Sequence, residues 1–193
     1  ISTHTVTYDG NGNTGGTAPT DPSSPYTNGA TVTVLGNTGS LVKTGYNFAG
    51  WNTAANGSGT SYAPAATFTI TGDVTLYAQW ATITHTVTYD GNGSTGGVVP
   101  TDSSSPYADN ATVTVLGSGT LVKTGYTFAG WNTAANGSGT SYAPAATFSI
   151  TANTTLYAQW TIDSYTVTYN GNGNDGGSAP TDSSSPYNYD TTV

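Results

Sequence analysis

Apolar and polar residues alternate in short runs along most of this chain. In Thr5–Tyr8, Val6 and Tyr8 share one face and Thr5 and Thr7 the other. Val32 and Val34 alternate with threonines, Tyr46 and Phe48 flank Asn47, and Trp51 follows Gly50. Phe68 and Ile70 alternate with Thr67, Thr69 and Thr71; Leu76, Ala78 and Trp80 alternate with Thr75, Tyr77 and Gln79. A period of two marks half-buried strands, and β-branched threonine packs well on a pleated surface. Turn signals separate the runs: Asp9–Gly16, Asn52–Gly59 and Thr71–Asp73, with Pro19–Pro25 read as an extended, proline-stiffened crossing. Only Ala63–Ala66 and Ser40–Thr44 suggest a helical turn. The pattern predicts a mainly β unit, a small twisted sheet with one packed face.

The unit recurs. His4-Thr-Val-Thr-Tyr-Asp-Gly-Asn-Gly12 returns as His85–Gly93 and, with Tyr and Asn replacements, as Tyr165–Gly173. Gly45-Tyr-Asn-Phe-Ala-Gly-Trp51 returns as Gly125–Trp131, and Thr75-Leu-Tyr-Ala-Gln-Trp80 as Thr155–Trp160. The period of about 80 residues exceeds the common solenoid units of about 20–50 and is long enough for each copy to hold its own small core. The reading is repeat one over 1–82, repeat two over 83–162 and a partial repeat three over 163–193. The joints around Ala81–Thr84 and Thr161–Ser164 are too short, and too poor in Gly, Ser and Pro, for flexible linkers, which predicts a semi-rigid elongated array. The residues expected to define the cores are Tyr46, Phe48, Trp51, Leu76 and Trp80, and in the second copy Tyr126, Phe128, Trp131, Leu156 and Trp160. Tyr26 and Tyr62, beside loops, are expected as surface rings.

The Gly-Tyr-x-Phe-x-Gly-Trp strings at Gly45–Trp51 and Gly125–Trp131, each followed by Leu-Tyr-Ala-Gln-Trp at Leu76–Trp80 and Leu156–Trp160, resemble the Listeria–Bacteroides repeat, also called the internalin B-repeat. The opening Thr-Val-Thr-Tyr-Asp-Gly-Asn-Gly fits that family's first strand. The resemblance implies tandem β-grasp-like domains on secreted and cell-surface proteins, acting as spacers or adhesive stalks, with no catalytic residues to carry over. The near-absence of Lys, Arg and Glu departs from that family and implies a surface of hydroxyls and amides.

Composition narrows the chemistry. The 193 residues carry a formal charge of −8, with two Lys, no Arg and ten acidic residues, all Asp. Binding to nucleic acid or to anionic membrane surfaces needs clustered Lys and Arg, so both are excluded as partners. With no Cys there is no disulfide framework or thiol chemistry. No apolar run approaches the roughly 20 residues that span a bilayer, so membrane insertion by this segment is not expected. Hydrophobic residues are only 35% and charged residues 6%, yet 14 Tyr and 4 Trp at recurring positions argue for folded cores rather than disorder. The chain is read as a window cut from a longer protein.

Candidate sites are few. Asp9 and Asn11, with Asp90 and Asn92 in the second copy, place oxygens at alternate positions as calcium loops do, but the Gly and Glu that an EF-hand needs at its sixth and twelfth positions are Thr14 and Thr20. A Gly/Asn hairpin loop is the preferred reading, and no cofactor is expected. Asn56, Asn92, Asn110, Asn136 and Asn153 match the N-glycosylation sequon, a pattern that arises by chance in a chain rich in Ser, Thr and Asn. His4 and His85 open their repeats without ligand partners in sequence and are read as strand-edge residues. Lys43 and Lys123 occupy equivalent positions; an isopeptide bond would need a buried Lys and an acid raised by burial, so an ordinary solvated Lys is preferred. No catalytic set emerges.

The sequence thus points to a non-catalytic extracellular structural repeat, a stalk or fibre of a surface protein. Its partners would be neighbouring repeats, self-assembly into fibres included. The alternative is a carbohydrate-binding or adhesion module meeting a glycan or host surface through exposed Tyr and Asn/Asp loops.

Overall fold

The computed structural model describes residues 1–193, which form two compact units, Ile1–Thr84 and His85–Val193. In the first, the strands are β1 (Thr3–His4), β2 (Val6–Asp9), β3 (Tyr26–Thr27), β4 (Thr31–Thr33), β5 (Tyr46–Asn52), β6 (Ser61–Tyr62), β7 (Thr67–Thr69) and β8 (Val74–Thr82). Four of them form a mixed sheet in the order β2-β8-β5-β6. The first long strand and the last, β2 and β8, lie side by side and parallel, and β5 and β6 add antiparallel. Two small antiparallel ladders, β1–β3 and β4–β7, complete the unit. The unit is therefore not the single sheet that alternation suggested: β4 and β7 alternate, but they pair only with each other, and alternation does not record which strands are partners. Neither Ala63–Ala66 nor Ser40–Thr44 is helical.

The core gathers the buried faces of these strands: Val6, Tyr8, Val32, Val34, Leu41, Trp51, Ile70, Leu76 and Ala78. Phe48 and Trp80 are half-buried and pack against it. Strict alternation would put Phe48 and Trp51 on opposite faces, since their spacing is odd. A β-bulge between Phe48 and Gly50 removes the conflict. Gly50 takes φ = +119°, a conformation open to glycine, and the two rings meet edge to face at 5.1 Å. Tyr46 shares the parity of Phe48 yet is 39% exposed, a correction to its expected core role. It lies beyond the end of the packed region, where the Lys43 ammonium sits 4.9 Å from its ring centroid. Tyr26 and Tyr62, expected outside, are half-buried against the core, with Tyr62 tilted on Phe68 at 5.0 Å.

The second unit repeats this order. Its strands are β9 (Thr84–His85), β10 (Val87–Asp90), β11 (Tyr107–Ala108), β12 (Thr112–Thr114), β13 (Tyr126–Asn132), β14 (Ser141–Tyr142), β15 (Thr147–Ser149) and β16 (Thr154–Ile162). The main sheet runs β10-β16-β13-β14, with the same parallel pair and the same bulge, now between Phe128 and Gly130. Trp131 and Leu156 are fully buried; Tyr126, Phe128 and Trp160 are half-buried. Residues 163–193 lie in this unit and add one short ladder, β17 (Ser164–Tyr165) with β18 (Tyr187–Asn188).

Candidate functional site

Each unit is organised around a few polar nodes. Trp51 is wholly buried, so its indole N–H needs a partner; it donates to Leu35 O at 2.9 Å. The Leu35 N–H donates in turn to the Tyr8 hydroxyl at 2.9 Å, and the Tyr8 and Trp51 rings meet edge to face at 4.7 Å. Burial raises the Tyr8 hydroxyl above its ordinary value of 10.0, against the opposing effect of the Leu35 N–H. Tyr89, Leu116 and Trp131 reproduce the triangle.

Asn52 is the second node and one that the alternation pattern does not single out. It is fully buried, and its amide donates to Gly57 O, Gly59 O and Ser61 Oγ. Its Oδ1 accepts from Ala54 N at 2.8 Å and Gly59 N at 3.0 Å. The loop after β5 is thus wound around one carboxamide. Gly59 has no room for a Cβ, which would collide with Thr53 Oγ1 and lie 2.8 Å from Asn52 Oδ1. Asn132 does the same for its own loop. The signal in sequence was an Asn directly after Trp, before a Gly-rich loop, in both copies.

The Asp9–Gly16 loop, read from sequence as a Gly/Asn hairpin loop, is a strap. Asn11 takes φ = +47° and its N–H donates to Asp9 Oδ1 at 2.7 Å. Its amide donates to Ala55 O and Ala78 O, each at 2.8 Å, tying the loop to β8 and to the Asn52 loop. Asn92 does the same toward Asp90, Ala135 and Ala158. No group of three or more His or Asp side chains that could hold a metal ion occurs. The Asn92 amide nitrogen, which a glycan would use, is committed to two carbonyls. Asn110 (φ = +63°) donates to Asp109 Oδ2, and Asn153 accepts from Thr86 N. Asn56 and Asn136 stand exposed on their loops, each accepting from the Ser two residues on.

The string Thr-Asp-x-Ser-Ser-Pro-Tyr, present three times, builds the remaining node. Asp21 is buried; its carboxylate accepts from Ser23 N at 2.9 Å and from the Tyr26 hydroxyl at 2.8 Å. Burial and then the Asp21 carboxylate hold the Tyr26 hydroxyl above its usual range. Asp102–Tyr107 and Asp182–Tyr187 repeat the pair at 2.7 and 2.8 Å. Between this segment and β2 runs an open groove of about 380 Å³, walled by Thr5–Tyr8 and Ala18–Asp21. The same groove, about 350 Å³, lies beside β10.

The other charged groups lie outside the two cores. His85 Nε2 lies 2.9 Å from Asp109 Oδ1; His4 Nε2 meets Asn28 Oδ1 at 3.2 Å, with Asp73 3.8 Å from its Nδ1. Asp73 accepts from Thr5 N, which holds its carboxyl below the ordinary value. Lys43 and Lys123 are half-buried over Tyr46 and Tyr126, and neither forms a salt bridge. No helix is long and apolar enough to cross a membrane.

Comparison with known proteins agrees with this duplication. The chain is 42% identical over 158 residues, 79% of its length, to a protein of Evansella cellulosilytica provisionally named a Gly-rich membrane protein. A second protein of that organism, provisionally named a membrane protein, is 40% identical over 61% of the chain. The chain spans only 18% and 17% of these relatives. No solved structure matches it. The profile of the Listeria–Bacteroides repeat domain matches residues 4–79 and 85–159, the two stretches whose sheets and polar nodes coincide, and the chain belongs to that family.

Proposed function

We propose that this chain is a non-catalytic structural segment of a bacterial-type surface protein, built as a serial array of β-grasp-like repeats that forms a stalk or the body of a fibre outside the cell. The observation that carries the reading is that the loop after β5 recurs residue for residue, Asn52–Tyr62 as Asn132–Tyr142. Asn52 and Asn132 hold their loops through the same partners at the same distances. Copies specialised for separate ligands would diverge first in such loops. Membership of a repeat family that is usually non-catalytic, and relatives named as membrane proteins, support a role at the cell surface. The β-grasp-like reading rests on the parallel pairing of the first and last long strands. The glycan-binding alternative loses its best candidates, since Tyr26 and Tyr62 are engaged within their own unit.

Electron microscopy of native material sheared from cells tests this. Thin rods carrying a distinct head, or regular fibres, are the expected images. Globular particles with no extended segment would overturn it.

A further inference from the structure

We propose that the Gly125 end of β13 is a docking surface for the copy that follows it, residues 163–193. Asp163 splices the two copies, Tyr189 seats its ring on Gly125, and the joint after the second copy is fixed rather than hinged. The inference rests on reading the chain as a serial array of repeats. It starts from what residues 163–193 lack. The core of the second unit takes no residue from them. Tyr169 is 51% exposed, where its counterparts Tyr8 and Tyr89 are buried. Apolar burial, the usual organiser of a small domain, therefore does not place this segment.

Asp163 lies between β16 and β17 and holds both sides of the joint. Its N–H donates to Gly125 O at 2.9 Å, and its Oδ1 accepts from Thr127 Oγ1 at 2.6 Å. Both partners belong to the second copy. Its carbonyl accepts from Tyr189 N–H at 2.7 Å, which belongs to the third. The Thr127 bond ends on a carboxylate, which makes it stronger than a neutral one. Gly125 supplies the room. It takes φ = +74°, and a Cβ built on it would fall within the Tyr189 ring. The ring occupies the space that a side chain would need.

Two replacements together release Tyr189 for this contact. The residue at its position is Asn28 in the first copy and Asp109 in the second. Each meets the histidine that opens its own copy, Asn28 with His4 at 3.2 Å and Asp109 with His85 at 2.9 Å. The third copy has Tyr165 in place of that histidine, and Tyr189 meets the preceding copy instead. The matching residues of the first copy lack both devices. Ile83 stands where Asp163 does; its N–H donates to Gly45 O at 2.9 Å, but it has no carboxylate. A Cβ on Gly45, at φ = +78°, would meet no atom.

NMR of the full 193-residue chain tests the joint. The Tyr189 ring should show nuclear Overhauser contacts to the Gly125 α-protons. Amides of residues 163–165 and 187–189 should have order parameters of about 0.85, as rigid backbone does. Tyr189→Ala removes the ring and keeps every main-chain partner, and Tyr189 belongs to neither core, so the second copy stays folded. Exchange of the amide at position 189 should accelerate about tenfold, with the Trp131 amide at the parent rate. Gly125→Ala and Gly45→Ala impose similar backbone strain, so the difference between them reads the ring. Exchange at Asp163 in the first variant should rise at least about threefold more than exchange at Ile83 in the second. Order parameters below about 0.6 at 163–165 and 187–189 in the parent would overturn the proposal. So would a Tyr189→Ala chain that exchanges like the parent, or equal effects of the two glycine variants. These results would leave the array standing, whereas globular native particles under the microscope would overturn the array and leave the NMR signals of the joint unmoved.

Discussion

The triangle of Tyr8, Leu35 and Trp51 shows how little polarity a small aromatic core tolerates unpaired. Tyr8→Phe keeps the ring and removes the acceptor of the Leu35 N–H. A stability loss of about 1–2 kcal/mol is expected, read as a lower urea midpoint at unchanged slope. The same hydroxyl sets an alkaline limit. Its folded pKa lies above the ordinary 10.0, as does that of Tyr89, so the stability it contributes is present below pH 10.0 and is lost as pH rises through the folded value. Thermal melts followed upward from pH 9 should fall more steeply for the native chain than for the variant with Phe at both positions. Asp73 acts at the other end of the scale. Its folded pKa is depressed by Thr5 N–H, so its contribution is present above the unfolded value of 3.8 and is lost as pH falls through the lower folded one.

At the scale of the element, β5 depends on one glycine. The bulge before Gly50 is what lets Phe48 and Trp51 share a face. Gly50→Ala would force a Cβ onto a φ of +119°, 3.0 Å from Tyr62 O, and should cost about 1–3 kcal/mol. If alternation alone placed these rings, the variant would melt like the parent. The loop after β5 depends on a carboxamide in the same way. Asn52→Leu leaves the main-chain groups of Ala54, Gly57 and Gly59 without partners; hydrogen exchange across residues 53–60 should accelerate while β8 stays protected.

For the whole molecule, each core is drawn from its own unit, one around Trp51 and one around Trp131. Trp51→Ala should cost about 3–5 kcal/mol locally. Hydrogen exchange should then rise through residues 1–84 and stay at the parent level around Trp131. A uniform rise through both units would mean that they unfold as one.

The sequence by itself determined the repeat, the strands long enough to show a period, and the placing of Trp51, Leu76, Trp131 and Leu156 in the cores. Alternation and duplication are local properties, readable without knowing which strand lies beside which. Only the tertiary structure decided the rest. Tyr46 lies outside because the packed region ends before it, which its parity cannot show. Tyr26 is half-buried because Asp21, five residues back, holds its hydroxyl. Asn11 and Asn92 looked like oxygen ligands in sequence, but distant carbonyls of Ala55, Ala78, Ala135 and Ala158 turn their amide nitrogens inward. The lateral place of β2 was invisible for the same reason: whether a strand is central or lateral depends on how the two ends of a unit meet, and no local pattern records that.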